Sequence, residues 1–141
     1  MVNPPPRVDL IAEAVAALEA EMGGAQQYFE INATPRLVNL FVALNDGAVA
    51  QSWVYFDGQL TSQEGQPAQG NTFSSAALDF DADTVLDGVV GELPTSVFDA
   101  FTVEGGEGGI VRYSVIVTSS AGGQLIVIVG PNGAVISVDP V

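Results

Sequence analysis

The sequence predicts an α+β fold in which helices cover one face of an antiparallel sheet. Residues 10–22 carry apolar side chains at helical spacing, and the Gly23-Gly24 pair that follows is a typical helix stop. Asp9 is the expected N-cap of this helix. Strand-like runs rich in β-branched and aromatic residues follow at 28–32, 37–45, 48–56 and 59–62, with a tight turn at Asn45-Asp46-Gly47.

The second half of the chain repeats this order. A shorter helix is predicted over 82–93, weakened by Gly88 and Gly91 and stopped by Pro94. Strand-like runs follow at 98–103, 110–118, 124–130 and 134–138. The predicted architecture is therefore two α-β-β-β(-β) repeats, over residues 8–72 and 73–141, preceded by an extended Pro-rich tail at 1–7.

Identical residues support the repeat. Five of them recur at a spacing of 73 residues: Val38 and Val111, Val42 and Val115, Ala48 and Ala121, Gln51 and Gln124, Val54 and Val127. Apolar strands match one another easily by chance, so the shared order of elements is the stronger indication of an internal duplication.

Over residues 8–138 this plan resembles the tandem helix-plus-meander arrangement of β-lactamase-inhibitor-protein-like and PepSY-type modules, found in bacterial secreted and envelope proteins. The resemblance lies in element order, not in motif residues. The inhibitor proteins carry disulfides, whereas this chain has no cysteine. The resemblance implies a non-enzymatic domain that binds another protein.

The composition excludes several kinds of chemistry. The 141-residue chain has 17 acidic residues against three arginines, no lysine and a net charge of −14, which disfavours nucleic acid as a partner. The absence of histidine and cysteine excludes Ser-His-Asp triads, thiol nucleophiles, and zinc sites built on imidazole or thiolate. We therefore expect a protein that is not an enzyme and uses no cofactor.

The N-terminal sequence leaves the compartment open. Residues 1–9 lack the basic start and apolar stretch of a signal peptide, and no apolar run is long enough to span a membrane. If the chain begins after a removed targeting segment, we expect an exported or cell-envelope protein, and otherwise a cytoplasmic one.

Strand alternation predicts which side chains face the helices. The helix-facing set in the first half is Val38, Leu40, Val42, Leu44, Ala50, Ser52, Val54 and Phe56. The matching set in the second half is Val111, Tyr113, Val115, Val117, Gly123, Leu125, Val127 and Val129. The opposite face, called the outer face below, is predicted to carry Asn39, Phe41, Gln51, Trp53, Tyr55, Arg112, Ser114, Ile116, Gln124, Ile126 and Ile128.

The predicted outer face mixes large apolar and aromatic groups with neutral polar ones, whereas a solvated sheet face is plainly polar. Trp, Tyr and Arg among apolar neighbours typically anchor interfaces. The candidate binding residues are Phe41, Gln51, Trp53, Tyr55, Arg112, Ile116, Ile126 and Ile128. Either the two halves or a homodimer bury this face, or it binds a partner.

Three functions fit these expectations. The first is a protein-interaction domain that uses the outer face. The second is a small acidic dimer, similar to secretion chaperones, that holds a basic or unfolded client. The third is a module that binds a lipid or a small molecule on the same apolar face.

One acidic stretch is a candidate metal site. Asp79, Asp81, Asp83 and Asp87 match positions 1, 3, 5 and 9 of a calcium loop. Thr84 and Val90 stand where the loop needs glycine and a bidentate carboxylate, so the favoured interpretation is an acidic helix entry, with Asp81 or Asp83 as the cap.

Overall fold

A computed structural model describes residues 1–141 as an α+β protein with one antiparallel sheet of ten strands and a helix at the N-terminus. Helix α1 spans Ile11–Met22 and follows a 3₁₀ turn at Val8–Leu10, and a shorter helix α2 spans Asp87–Glu92. The strands are Gln27–Ala33 (β1), Val38–Leu44 (β2), Val49–Phe56 (β3), Gln59–Ser62 (β4), Gln66–Pro67 (β5), Phe73–Ser74 (β6), Val97–Gly105 (β7), Val111–Thr118 (β8), Gln124–Val129 (β9) and Val135–Pro140 (β10). No helix is long and apolar enough to cross a membrane.

The main path of the sheet runs β10-β9-β8-β7-β1-β2-β3-β4. The short strands lie off this path, where β5 pairs with β3 and β6 pairs with β1. Strands β1 and β7 are therefore central, and β4 and β10 form the edges. The β10 edge carries two exposed aliphatic side chains, Ile136 and Val138.

Helix α1 confirms the predicted first helix and its glycine stop, since Gly23 adopts a left-handed φ of 86°. The predicted cap at Asp9 is wrong, because no side chain caps this helix start. The Asp9 carboxylate instead pairs with the guanidinium of Arg7 at 3.0 Å. That bond lowers the pKa of Asp9.

The N-terminal tail, residues 1–7, contacts strands on both sides of the sheet centre. The Asn3 side chain exchanges two hydrogen bonds with the backbone of Phe98 in β7, at 2.9 and 2.8 Å. The Arg7 N–H donates to the carbonyl of Thr34, just after β1, at 2.9 Å. These bonds fix the tail to the sheet before α1 begins.

The core lies between the sheet and a layer made by α1 and residues 78–93. Helix α1 contributes Ile11, Ala14, Val15 and Leu18 to this single cluster of 24 buried residues. Val85, Leu86 and Val89 join the same cluster from the second segment. Here Phe80 packs on Phe101 and Tyr113, with ring centroids 5.1 and 5.6 Å apart.

Each of the three tyrosines is bonded through its hydroxyl group to a carboxylate of the covering layer. Tyr28 donates to Glu19 at 2.8 Å, Tyr55 donates to Glu13, and Tyr113 donates to Asp79 at 2.6 Å. A hydroxyl group donates a hydrogen bond to a carboxylate only while it keeps its proton, so folding raises the pKa of all three tyrosines. Burial is the main cause for Tyr28 and for Tyr113, whose pKa is about 12, whereas the bond to Glu13 is the main cause for Tyr55.

The predicted second helix is shorter than expected. Residues 82–86 form turns, and α2 begins only at Asp87. Gly88 and Gly133 explain how α2 is seated, because a Cβ at Gly88 would collide with the carbonyl oxygen of Gly133. A Cβ at Gly133 would in turn collide with the carbonyl oxygen of Thr84. The start of α2 therefore packs backbone to backbone against the turn before β10.

The two glycines of α2 should respond oppositely to alanine. Gly88→Ala should lower the free energy of unfolding by about 2 kcal/mol, because the added methyl overpacks the contact with Gly133. Gly91→Ala should raise it by up to about 1 kcal/mol, because that position has open space and alanine favours the helix. Urea denaturation measures both, and equal effects would contradict the backbone contact.

The tyrosine bonds predict a loss of stability in alkali. A pKa raised by folding contributes stability that is complete below the unfolded value near 10 and is lost as pH rises through the folded value. The free energy of unfolding should therefore fall between pH 10 and about 12, and the folded protein should show little phenolate absorbance at 295 nm at pH 10. The same chain in guanidinium should titrate all three tyrosines near 10. A tyrosine that ionises there in the folded protein would contradict its bond.

Candidate binding face

The outer face of the sheet lies opposite α1 and α2. Its large apolar side chains are half-buried by neighbours on the sheet, and none packs against the core cluster. They are Phe29, Phe41, Val54, Ile116, Ile126 and Ile128, with Phe56 exposed at one end. Segment 68–71 borders one end of this face, and α1 and residues 78–93 all lie on the other side.

The predicted placement of Gln51, Trp53 and Tyr55 on the outer face is wrong. Residues directly opposite in antiparallel strands share a face. Tyr55 lies opposite Val38, Trp53 opposite Leu40 and Gln51 opposite Val42, and all three partners are fully buried under the helix layer. Ala50, Ser52, Val54 and Phe56, predicted to face the helices, therefore lie on the outer face.

The turn between β2 and β3 is the physical reason. Leu44 pairs with Val49, so the turn contains the four residues 45–48. Asn45, Asp46 and Gly47 all take positive φ there. In an even-numbered turn, even positions of β2 oppose odd positions of β3, and a shift of one residue exchanges the two faces of a strand.

Trp53 and Tyr55 are structural in this arrangement. Tyr55 is 6% exposed and bonded to Glu13 of α1. Trp53 packs against the core cluster, and its indole Nε1 donates to the side-chain oxygen of Gln51 at 3.1 Å. The aromatic pair that the sequence offered as a binding anchor instead supports α1.

The register of β8 and β9 places the other candidates on the outer face. Ile116 lies opposite Ile126, and Ser114 opposite Ile128. Arg112 lies opposite Glu104 of β7. The loop after β8 has five residues, 119–123, because Thr118 pairs with Gln124, so even positions oppose even positions here.

The different turn lengths change the meaning of the 73-residue matches. Val38 and Val111 both face the helices, as do Val42 and Val115. Gln51 faces the helices, whereas Gln124 lies on the outer face. Val54 lies on the outer face, whereas Val127 faces the helices. Those two identities are not structurally equivalent.

A row of polar side chains crosses the centre of the outer face. The Asn39 amide donates to Asn32 at 2.8 Å, and the Asn32 amide donates to the Glu30 carboxylate at 2.7 Å. Glu30 lies directly opposite Glu104, across the pairing of β1 with β7. Glu104 contacts Arg112 at 3.6 Å, a long distance between two solvent-accessible side chains, so this ion pair is weak.

A cleft of about 400 Å³ opens beside the two glutamates. Phe29, Glu30, Phe41 and Glu104 line it from the sheet, and segment 68–71 closes one side. The close approach of that segment depends on Gly105, where a Cβ would lie 2.9 Å from the backbone oxygen of Asn71. The cleft therefore combines aromatic rings, carboxylates and side-chain amides.

Sequence reasoning missed Phe29, Glu30 and Glu104 as members of this cleft. The pairing of β1 with β2 shifts between Tyr28 and Glu30, which is a β-bulge at Phe29. Because of the bulge, Tyr28 and Ile31 both face the helices although they are three residues apart. The alternation of apolar residues is broken at Tyr28-Phe29, and two adjacent aromatic residues are the only sign of it in the sequence.

The four aspartates of the candidate calcium loop are not brought together. Asp79 bonds with Tyr113, and Asp81 accepts the N–H of Asp83 at 2.9 Å. Asp87 lies in the first turn of α2. No group of three or more acidic side chains in the structure could hold a metal ion. Asp81 bonds a turn six residues before α2, and no side chain caps the start of α2, so the favoured interpretation of Asp81 or Asp83 as the helix cap is wrong.

The fold and this surface define an α+β protein with one sheet face covered by helices and a second, mixed apolar and polar face that no helix covers. No family model, curated protein or solved structure matches the chain. The function must therefore be inferred from the surface itself.

The corrected faces predict which truncations unfold the protein. Tyr55→Ala should lower the free energy of unfolding by about 3 kcal/mol, because it empties a buried site and leaves the Glu13 bond unmade. Ile126→Ala, on the outer face, should cost less than about 1 kcal/mol. Urea denaturation followed by circular dichroism measures both. A larger loss for Ile126→Ala than for Tyr55→Ala would reverse the assignment of the faces.

Proposed function

We propose that this protein is a non-enzymatic domain that binds another protein through its outer sheet face. The observation that carries the proposal is a set of half-buried aliphatic and aromatic side chains that take no part in the core. An antiparallel sheet with one solvated face normally carries polar residues there. Large apolar patches on soluble proteins typically mark interaction sites.

The dimensions of the face suit an ordinary protein interface. Eight strands of the main path, at about 4.8 Å spacing, give a width of roughly 38 Å. Strands of about seven residues rise roughly 23 Å, so the face covers about 870 Å². A standard interface buries about 800 Å² on each partner.

The charge of the chain selects among partners. A net charge of −14 repels a second copy and nucleic acid, and attracts a basic partner. The second candidate function is an acidic chaperone-like dimer, in which this field would hold a basic client although it opposes the association of the two copies. The two differ in that a chaperone-like dimer needs self-association, which size-exclusion chromatography with light scattering detects.

We also infer that the two halves, residues 8–72 and 73–141, arose by duplication. The order of one helix followed by strands occurs twice, and the strands adjacent at the sheet centre, β1 and β7, are the first long strands of each half. This support comes from element order, because two of the matched identities fall on opposite faces.

Photo-crosslinking tests the proposed face. A benzoylphenylalanine at Ile126 should form a discrete adduct with another protein in the cells that express this chain, whereas the same group at Ala16, exposed on α1, should not. The adduct partner, once purified, should bind the wild-type chain and bind Ile116→Ser at least tenfold more weakly. Equal crosslinking from both positions, or a partner indifferent to Ile116→Ser, would refute the proposal.

A further inference from the structure

Two glutamates lie directly opposite each other at the centre of the outer face, and the one nearby arginine reaches only one of them. Glu30 and Glu104 are direct cross-strand neighbours on β1 and β7. Like charges in this position destabilise a sheet. Arg112 approaches only Glu104, at 3.6 Å, whereas Glu30 accepts a hydrogen bond from the neutral amide of Asn32.

The space beside these carboxylates is lined by groups that favour an organic cation. Phe41 is the cross-strand neighbour of Glu30, and Phe29 lines the same cleft. A planar cation gains from contact with aromatic rings as well as from charge. Gln69 and Asn71 add neutral side-chain amides from the bordering segment.

We propose that this cleft receives an arginine side chain of the protein that docks on the outer face. The inference rests on the proposed function and adds the chemistry of the partner. A guanidinium presents several donors in one plane and stacks on aromatic rings, so it can bond both glutamates while it contacts Phe29 or Phe41. The apolar residues of β8 and β9 lie on the same face, beyond Arg112, and contact the rest of the partner.

This assignment explains the opposed carboxylates. In the free protein they repel each other, and the arriving cation removes the repulsion, so part of the affinity comes from strain relieved on binding. The bond from Asn32, itself held by Asn39, fixes the orientation of the Glu30 carboxylate, which lines the cleft. Gly105 allows the wall at Asn71 to approach closely.

The proposal can be tested with a probe that stands for the partner side chain. N-acetylargininamide, titrated into ¹⁵N-labelled protein, should shift the amide resonances of Glu30, Phe41 and Glu104 and saturate in the millimolar range. N-acetylcitrullinamide, its neutral isostere, should cause no saturating shift. Glu30→Gln should weaken the probe at least tenfold while raising the thermal midpoint, since it removes the repulsion but keeps the acceptor for Asn32.

Glu92→Gln is the matched control, because it makes the same charge change at an exposed residue of α2. It should leave the affinity for the probe within twofold of wild type. Equal weakening by Glu92→Gln, or shifts spread over the whole acidic surface, would mean attraction by net charge and overturn the proposal. A homodimer that protects the cleft resonances would also overturn it. If the probe does not bind the cleft but Ile116→Ser still weakens binding of the partner protein, the docking face stands and only the arginine assignment is refuted.

Discussion

The pairing of β1 with β7 is the constraint on which the rest of the molecule depends. Four residue pairs join the two meanders into one sheet. On the helix side they bring together Ile31, Val103, Ala33 and Phe101, all fully buried. On the outer side the same four pairs set Glu30 against Glu104. The short β1–β7 ladder thus forms the centre of the core on one face and places two glutamates opposite each other on the other face.

The covering layer is held to the sheet by a pattern suited to this composition. A chain with 17 acidic residues and only three arginines has few cations with which to satisfy carboxylates near the core. Tyrosine hydroxyls donate the hydrogen bonds instead. The acceptors are Glu13 and Glu19 on α1 and Asp79 on the second segment. Neutral donors avoid the cost of burying a full ion pair. The single tryptophan, Trp53, lies on the helix-facing side of β3 and packs against the core cluster, so its fluorescence reports the packing of the core and not the state of the outer face.

The sequence predicted the fold class, the first helix and the long strands, because periodicity and β-branched composition act locally. It could not assign the face of β3, since that depends on whether the turn at 45–48 holds three residues or four. The bulge at Phe29 is equally invisible, because an extra residue becomes apparent only when the partner strand is known. The cleft could not be predicted for the same reason. Glu30 and Glu104 are 74 positions apart in the sequence, and only the register of β1 with β7 makes them neighbours.

The β10 edge has a consequence for how the protein behaves in concentrated solution. An edge strand with exposed Ile136 and Val138 offers unpaired backbone groups to another molecule, and lysines, a common guard of such edges, are absent from the chain. Mutual repulsion between molecules of high negative charge is then the main guard against edge-to-edge pairing. That guard vanishes near the isoelectric point of about 4.1. Colloidal stability in mild acid is therefore set by the same carboxylates to which the proposed function assigns the attraction of a basic partner.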